Sequence, residues 1–393
     1  MKNDIKKNLT ILVVSDLHAV TDKKRKSDSY LFYKDSKSSF EDDFLIYLKD
    51  LDKSIDVLVC PGDLANMADE NAFELGWKFL HKIQNQLEIP VMLTVPGNHD
   101  HKSRKDEKLS PTHFLQYLTP QFPLDDYSKN THFWAWNWIA EDSNEYFNTV
   151  LLNTSAYHGY KKDGHDRGRV SHEACERIGD KVREFPNKVF NLLVCHHAPY
   201  KMEHAYNQED NQEIQGAQNL IHILESNINS PWLVIHGHKH FAEIRYAISK
   251  RNAPTTLFSS GSLAAKSKTE KDNHFHIIEI DISETQNVGR VVGVVSNYQY
   301  KVGVGWDLST SNLVPGVTGF GGDIRIPQLA KEIYEKVKGV SDGLWLEEAD
   351  LVDVNKNLIH CTPQDIEHLS NLLEGYGFDV VIEGQKIIQV AKK

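Results

Sequence analysis

The stretch VIHGHKHF (residues 234–241) places His236, His238 and His240 at every second position, with Gly237 and Lys239 between them. In extended backbone, residues two apart point to the same side, so alternate imidazoles can converge on one point. Neutral imidazole is a common metal ligand, yet a strand ending in a polar turn also leaves its histidines in water. What separates the two readings is whether other parts of the chain supply partners. They do. After ILVVS comes Asp16-Leu-His18, and after IDVLVC comes Pro-Gly62-Asp63. After VMLTV comes Pro-Gly97-Asn98-His99-Asp100, and after FNLLVC comes His196-His197-Ala-Pro199. With Trp232–Ile235 before His236, five apolar runs each deliver Asp, His or Asn at the C-terminal end. Carboxylate, amide and imidazole without thiolate suit Mn, Fe or Zn rather than a calcium cage or an iron–sulfur cluster.

These residues need elements to carry them. The runs Leu9–Ser15, Ile55–Cys60, Val91–Val95, Thr149–Leu152, Phe190–Cys195 and Trp232–Ile235 read as short buried strands. Phe40–Leu51 and Ala72–Leu87 show apolar residues at three- and four-residue spacing, the period of an amphipathic helix. Strands alternating with helices predict an α/β (α+β) layered architecture, in which ligands bind at the C-terminal strand ends. From about Thr255 the helices stop, and Thr255–Ser259, Phe275–Ile280 and Val288–Tyr300 read as antiparallel strands. Trp134, Trp136 and Trp138 alternate as in a strand, a pattern that belongs to packing more often than to a base-stacking platform.

The Gly-rich VPGVTGFGGD (314–323) reads as a loop or linker, which divides the chain into 1–300, a connection at 301–325, and a small α/β appendage at 326–393. Within the appendage Pro327–Lys338 reads as a helix. Thr362-Pro-Gln-Asp365 is a capping box whose helix stops at Gly375 or Gly377, and 378–390 reads as a hairpin turning near Glu383-Gly384.

Composition narrows the class. Of 393 residues, 40% are hydrophobic and 25% charged, as in a soluble globular protein. Apolar runs are too short to span a bilayer. The N-terminus lacks a small-residue cleavage site, and the four cysteines (Cys60, Cys175, Cys195 and Cys361) form no CxxC pair, so a cytoplasmic location is expected. The net charge of −11 speaks against a protein that coats nucleic acid. A local exception is Lys23-Lys-Arg-Lys26, which reads as a solvated loop. Nothing in the sequence sets an oligomeric state.

In order and wording, the five blocks resemble the calcineurin-like metallophosphoesterase superfamily: D-x-H, G-D-x-x, G-N-H-D/E, H-H and G-H-x-H, over residues 8–282. The resemblance implies a β-sandwich flanked by helices, with two divalent metal ions, Mn favoured over Fe and Zn, at the strand ends. It implies that Asp16, His18 and His240 hold one metal. Asn98, His238 and one of the 196–197 pair hold the other, and Asp63 bridges both. His196 is favoured because it directly follows its strand, with His197 the alternative; His236 is then scaffolding. His99 would contact the phosphate and protonate the leaving oxygen. The physics agrees: two cations about 3.5–4 Å apart can clamp a phosphate and activate water as hydroxide near neutral pH. A carboxylate can bridge them and an imidazole cannot. Gly62, Gly97 and Gly237 let the backbone turn beside the cations.

The protein-phosphatase branch carries G-D-x-V-D-R-G, but Gly62–Ala68 reads GDLANMA and lacks the phosphate-binding arginine. The D-L-H, G-D-L and P-G-N-H-D wording looks most like the class III cyclic nucleotide and glycerophosphodiester phosphodiesterases. The expected substrate is therefore a small phosphodiester or nucleotide. A DNA or RNA nuclease of the same superfamily is the alternative, and a catalytically silent scaffold the second. The inserts His101–Asn130 and Tyr157–Arg169, with Tyr200 and His204, are candidates for the pocket rim. The second insert interleaves cations and tyrosines, which fits either an ordinary loop or a holder for a second phosphate or a base.

Overall fold

The apolar runs that precede the candidate ligands all become strands. The structure, a computed structural model, describes residues 6–102, 110–159, 166–202, 209–226, 230–248, 254–266, 272–311, 314–338 and 345–393. The chain begins β1 (Asn8–Val13), α1 (Ser39–Asp50), β2 (Val57–Cys60), α2 (Glu70–Gln86), β3 (Val91–Thr94), α3 (Tyr127–Trp136) and β4 (Trp138–Asp142). It continues with β5 (Phe147–Leu152), α4 (His172–Arg183), β6 (Phe190–Cys195), α5 (Ala217–Ser226), β7 (Trp232–His236), β8 (Glu243–Tyr246), β9 (Thr256–Ser259) and β10 (Asn273–Asp281). Then come α6 (Ile282–Val288), β11 (Gly293–Lys301), β12 (Gly305–Leu308), β13 (Val317–Phe320), α7 (Ile326–Lys338) and β14 (Trp345–Glu347). Last are α8 (Val352–Leu358), α9 (Pro363–Gly375), β15 (Phe378–Glu383) and β16 (Lys386–Lys392).

Three local expectations are corrected. The alternating tryptophans do not share a strand: Trp134 and Trp136 lie on α3, and only Trp138 lies on β4. Asp126 caps α3 by accepting from Lys129 N, and Asn137 ends it in a left-handed conformation (φ 61°). Helices do not stop at Thr255. Asp281 caps α6 and Gly289 (φ 72°) closes it, so β11 starts at Gly293 rather than Val288. The glycine-rich 314–323 stretch contains strand β13.

By compactness the chain forms two units. The larger comprises Thr10–Ile277 with Tyr298–Asp307, and the smaller Met1–Leu9, Ile278–Asn297 and Leu308–Lys393. One sheet runs β12-β11-β10-β1-β2-β3, and a second, in the larger unit, runs β4-β5-β6-β7-β9-β8. Strands β1, β2 and β3 are parallel, with Val13 opposite Val59 and Cys60 opposite Thr94. In the second sheet β5, β6, β7 and β9 are parallel, while β4 and β8 close its edges antiparallel. Both sheets are therefore mixed, and helices flank them. Parallel register has a direct consequence: strands that end level release the residues after them side by side.

The helices hold these strands by apolar burial. Phe44 of α1 and Phe73, Trp77 and Phe79 of α2 pack with Leu12, Leu58 and Phe275. Ile178 and Val182 of α4 and Leu220 and Leu224 of α5 pack with Val150, Leu193 and Val234. Each such side chain contributes about 1.5–3 kcal/mol on full burial. In the smaller unit β13 pairs antiparallel with the first half of β11. Helices α7, α8 and α9 enclose a core with Leu329, Ile333, Leu358, Leu369, Ile387 and Val390. Thr362 and Asp365 form the capping box in both directions, and the hairpin turns at Gly384. The order here is α7-β14-α8-α9-β15-β16, and β16 lies between β14 and β15 in a three-stranded sheet. No described helix is long and apolar enough to cross a membrane.

Candidate metal centre

Asp16 and His18 follow β1, Asp63 follows β2, Asn98 and His99 follow β3, His196 and His197 follow β6, and His238 and His240 follow β7. Backbone bonds knit these turns together. Asp16 N donates to Gly62 O (3.0 Å), His18 N to Asp63 O (2.9 Å) and Gly237 N to His196 O (3.0 Å). Asp16, His18, Asp63, His238 and His240 all have positive φ, between 45° and 73°. Each non-glycine residue held there costs on the order of 1–3 kcal/mol, and such strain persists only where surrounding contacts impose it. Close approach is the other constraint: a Cβ at Gly97 would collide with the Asp63 carboxylate, and one at Gly237 with that of Asp16.

Two donor sets result. In the first, His18 Nε2 lies 3.0 Å from His240 Nε2, and His240 Nε2 lies 3.2 Å from Asp16 Oδ1. In the second, Asn98 Oδ1 lies 3.0 Å from His196 Nε2 and 3.1 Å from His238 Nδ1. Asp63 Oδ2 faces both, 3.5 Å from His18 Nε2 and 3.3 Å from His196 Nε2. His197 stands behind the second set, its Nδ1 2.8 Å from Thr154 Oγ1 and its ring 4.4 Å from that of His238. Its buried Nε2 has no hydrogen-bond partner among the described residues. His196, His197 and His238 can also be grouped as one candidate triad, so proximity leaves both members of the 196–197 pair in reach.

The chemistry of the donors fits a pair of cations. His196 Nδ1 meets the Pro61 carbonyl at 2.8 Å, and a carbonyl only accepts, so this nitrogen carries the hydrogen. A neutral His196 then turns the Nε2 lone pair toward Asp63 Oδ2 and Asn98 Oδ1, which are acceptors themselves. Converging acceptors need a positive charge between them. With a proton as the only candidate, burial opposes charging His196, but Asp63 prevails and lifts its pKa to about 9. Burial, reinforced by His99, holds His18 down to about 3, and burial drives His238 well below the usual imidazole range. Those rings are neutral and keep a lone pair to donate. Burial also opposes the charges on Asp16 and Asp63, yet His240 and His196 respectively keep both carboxylates ionised.

Several residues that sequence reasoning did not assign hold the centre together. Asp100 accepts from Asp63 N (2.9 Å), Gly97 N (2.8 Å) and Ala65 N (3.0 Å), tying the turn after β2 to the turn after β3. Its place in the Gly-Asn-His-Asp block was a signal, though not of this role. Lys239 is buried, and its Nζ donates to Asp210 Oδ1 (2.6 Å) and Gln212 Oε1 (2.9 Å). His99 Nδ1 sits 3.0 Å from Asn66 Oδ1, and Asn66 Nδ2 donates to Asp28 Oδ2 at 3.2 Å. Nothing in the sequence marked Asn66 or Asp28. His236 is buried with Nδ1 on Gly237 O, in keeping with scaffolding. Tyr200 turns away to Glu243 Oε2 (3.3 Å) and the Arg245 guanidinium. His204 and the inner parts of both inserts, 103–109 and 160–165, lie outside the described residues. The centre floors a cleft of about 350 Å³, where His99 is joined by Asn66, Asp28, Asp166, Gln212 and Lys266.

The chain belongs to the calcineurin-like phosphoesterase family, whose match spans residues 9–253. No curated protein matches it. Among solved structures, a dimetal phosphatase from Danio rerio is similar at 11% identity and a TM-score of 0.46, covering 70% of this chain and 95% of that one. A purple acid phosphatase from yellow lupin (Lupinus luteus) seeds shares 14% identity at a TM-score of 0.45, covering 77% of this chain and 53% of that one. The calcineurin-like phosphoesterase YfkN from Bacillus subtilis shares 12% identity at a TM-score of 0.38, covering 80% and 90%. Family membership and the His/Asp clusters support a metal-dependent phosphoesterase with a potential dinuclear site.

Proposed function

We propose that the protein hydrolyses a phosphodiester bond in a nucleotide or other small substrate, as in the class III phosphodiesterases, with two divalent cations and Mn favoured. One observation carries the reading: Asp63 Oδ2 lies between His18 Nε2 and His196 Nε2, at 3.5 and 3.3 Å, on the floor of an open cleft. Asp16, His18 and His240 would hold one cation, Asn98, His196 and His238 the other, and Asp63 both. His197 would act through Thr154 and the neighbouring rings. When bound, the cations supply Lewis acidity toward the phosphoryl oxygens and bring water's pKa toward neutrality.

The chain's own residues do the rest. Asp63 Oδ1 accepts the His99 amide N–H at 2.7 Å, which fixes the carboxylate and leaves Oδ2 between the donor sets. Asn66 Oδ1 accepts from His99 Nδ1, so it is the imidazolium form of His99 that would give an Nε2 proton to the leaving oxygen. The net charge of −11 works against a long nucleic acid substrate, whose binding rests on neutralised phosphates.

The test is a Mn-supplemented panel of bis-nitrophenyl phosphate, nitrophenyl phosphate, cyclic nucleotides, dinucleotides and short single- and double-stranded DNA. Cleavage of small diesters above monoester and DNA is expected, with two metal ions per chain by elemental analysis. Asp63→Ala should lose metal and turnover together. Activity confined to DNA would make the protein a nuclease. Full occupancy without hydrolysis of any substrate would make it a silent scaffold.

A further inference from the structure

Deepening that reading and resting on it, we propose that Gln212 is a specificity-determining residue of the cleft, whose side-chain amide donates to an uncharged oxygen on the nucleoside of the substrate. The substrate class is then a nucleotide phosphodiester, told apart from simple alkyl diesters by an acceptor oxygen on its sugar or base.

Gln212 stands in a segment fastened to the turns after β6 and β7, both of which carry candidate ligands. On the β6 side Ile214 N donates to Ala198 O (2.9 Å), just past His196-His197. Gln215 N donates to Gly168 O (2.8 Å), Val170 N to Gln215 O (2.9 Å), and Arg167 Nη2 to Glu213 Oε1 (2.7 Å). On the β7 side Lys239, between His238 and His240, donates through Nζ to Asp210 Oδ1 at 2.6 Å. Asp210 also accepts from Met202 N (2.8 Å) and from Gln212 N itself (2.9 Å).

The side chain follows from that scaffold. Lys239 and Asp210 are both buried, and a buried charge persists only where it meets its partner. The pair therefore fixes the place of Nζ, which also donates to Gln212 Oε1 at 2.9 Å. An ammonium has hydrogens and no lone pair, so the atom it meets is the carboxamide oxygen. That leaves the carboxamide nitrogen, with two N–H donors, as the end available to a ligand. Among the described residues Nε2 has no hydrogen-bond partner, and Gln212 lines the cleft with Asp63, Asn98, His238 and His240.

Charge decides what this donor meets. A carboxamide N–H asks for an acceptor but brings no countercharge for a second anion. Among the described residues of the cleft, and apart from Asp63 and the histidines, the charged side chains are the carboxylates of Asp28 and Asp166 and the ammonium of Lys266. With acids in excess, a further phosphate is disfavoured there. The scissile phosphate is already served by the two cations and His99 in the proposed reaction. What remains for Nε2 is a neutral acceptor on the rest of the substrate, a sugar oxygen or a base carbonyl. A methyl group in the same place offers neither.

The test keeps one leaving group and varies the other ester arm. Nitrophenyl phosphates of methanol, of thymidine through its 5′ oxygen and of deoxyadenosine through its 5′ oxygen are compared on the Mn-loaded full chain, with Gln212→Ala and Gln212→Glu variants. The wild type should favour the nucleoside esters over the methyl ester. Both variants should reduce that preference in kcat/KM by about three- to tenfold, the scale of one neutral hydrogen bond, through KM and with two metal ions still bound. Gln212→Glu is the sharper variant, because it can still accept from Lys239 but turns an oxygen without a hydrogen into the cleft. A reduction on the thymidine ester alone places the acceptor on the base, and a reduction on both nucleoside esters places it on the sugar. A glutamate variant that keeps the preference, equal changes on all three esters, lost metal, or no preference in the wild type would overturn the assignment and leave the phosphodiesterase reading standing. If neither these esters nor bis-nitrophenyl phosphate is cleaved, both fall.

Discussion

His99 occupies a position in which three roles can be told apart at the level of one side chain. Its backbone amide is bound to Asp63 and its Nδ1 to Asn66, so the residue is anchored at the backbone and at one ring nitrogen. As a general acid it matters most where the leaving oxygen is basic: nitrophenolate departs without a proton, whereas an alkoxide or ribose oxygen requires one. His99→Ala should retain both metals and lose about 10²–10⁴-fold in rate on alkyl or nucleotide diesters, with a much smaller loss on bis-nitrophenyl phosphate. An equal loss on both substrates would assign it to holding phosphate, and lost metal would make it a ligand. Legibility differs sharply among these residues. The candidate ligands could be read because Asp, Asn and His directly follow apolar runs, where parallel strands release them together. Asn66 and Asp28 could not, because they act through side chains reaching between loops distant in sequence.

At the scale of elements, two strand ends depend on one carboxylate. Asp100 accepts three backbone N–H groups, from Asp63, Ala65 and Gly97, all in buried turns. Replacing it with alanine leaves three donors unmatched, at about 1–3 kcal/mol for each buried orphan group. Asp100→Ala should therefore destabilise the protein by at least about 3 kcal/mol in urea unfolding and weaken metal binding. Asp100→Asn, which keeps one acceptor oxygen, should lose less of both. An alanine variant of normal stability and metal content would show that β2 and β3 alone set the turn. Buried strands were legible as unbroken apolar runs, and α1 and α2 as periodic ones. The tryptophans of α3 misled because capping by Asp126 and the left-handed Asn137 outweigh an alternation carried by only three residues.

At the scale of the whole molecule, the C-terminal part of the smaller unit has a topology its sequence hid: the capping box and hairpin were readable, but the pairing of β14 with β16, more than forty residues on, was not. On α9 the exposed residues Gln364, Glu367, His368, Asn371 and Glu374 include no lysine or arginine, so this helix lacks the charge that phosphate contacts require. The candidate ligands all precede residue 241. Deleting 326–393 should leave both metals bound, and a folded truncated chain without metal would place the appendage in the centre.

Buried titrating groups set how the metal-free molecule responds to pH. Burial lowers His18 and His101 to about 3 and His236 to about 4, against about 6.5 in an unfolded chain. Between about pH 4 and 6.5 the unfolded state therefore binds more protons at these sites. Their contribution to stability is complete above 6.5 and is lost as pH falls toward 4, at up to about 1.4 kcal/mol per pH unit for each group. Asp100 opposes them. Burial and the charge of Asp63 raise it to about 8, so its contribution falls as pH rises from about 4 to 8. His196, raised to about 9 by Asp63 against its burial, likewise loses stability as pH rises from about 6.5 to 9. Three histidines outweigh one carboxylate below 6.5, and Asp100 and His196 act together above it, so urea unfolding in chelator should show a maximum near pH 6–7. With metal the fall due to His196 should vanish, because a cation takes the place of its proton. A metal-free profile flat from pH 4.5 to 8.5 would show that these groups are solvated in the apoprotein.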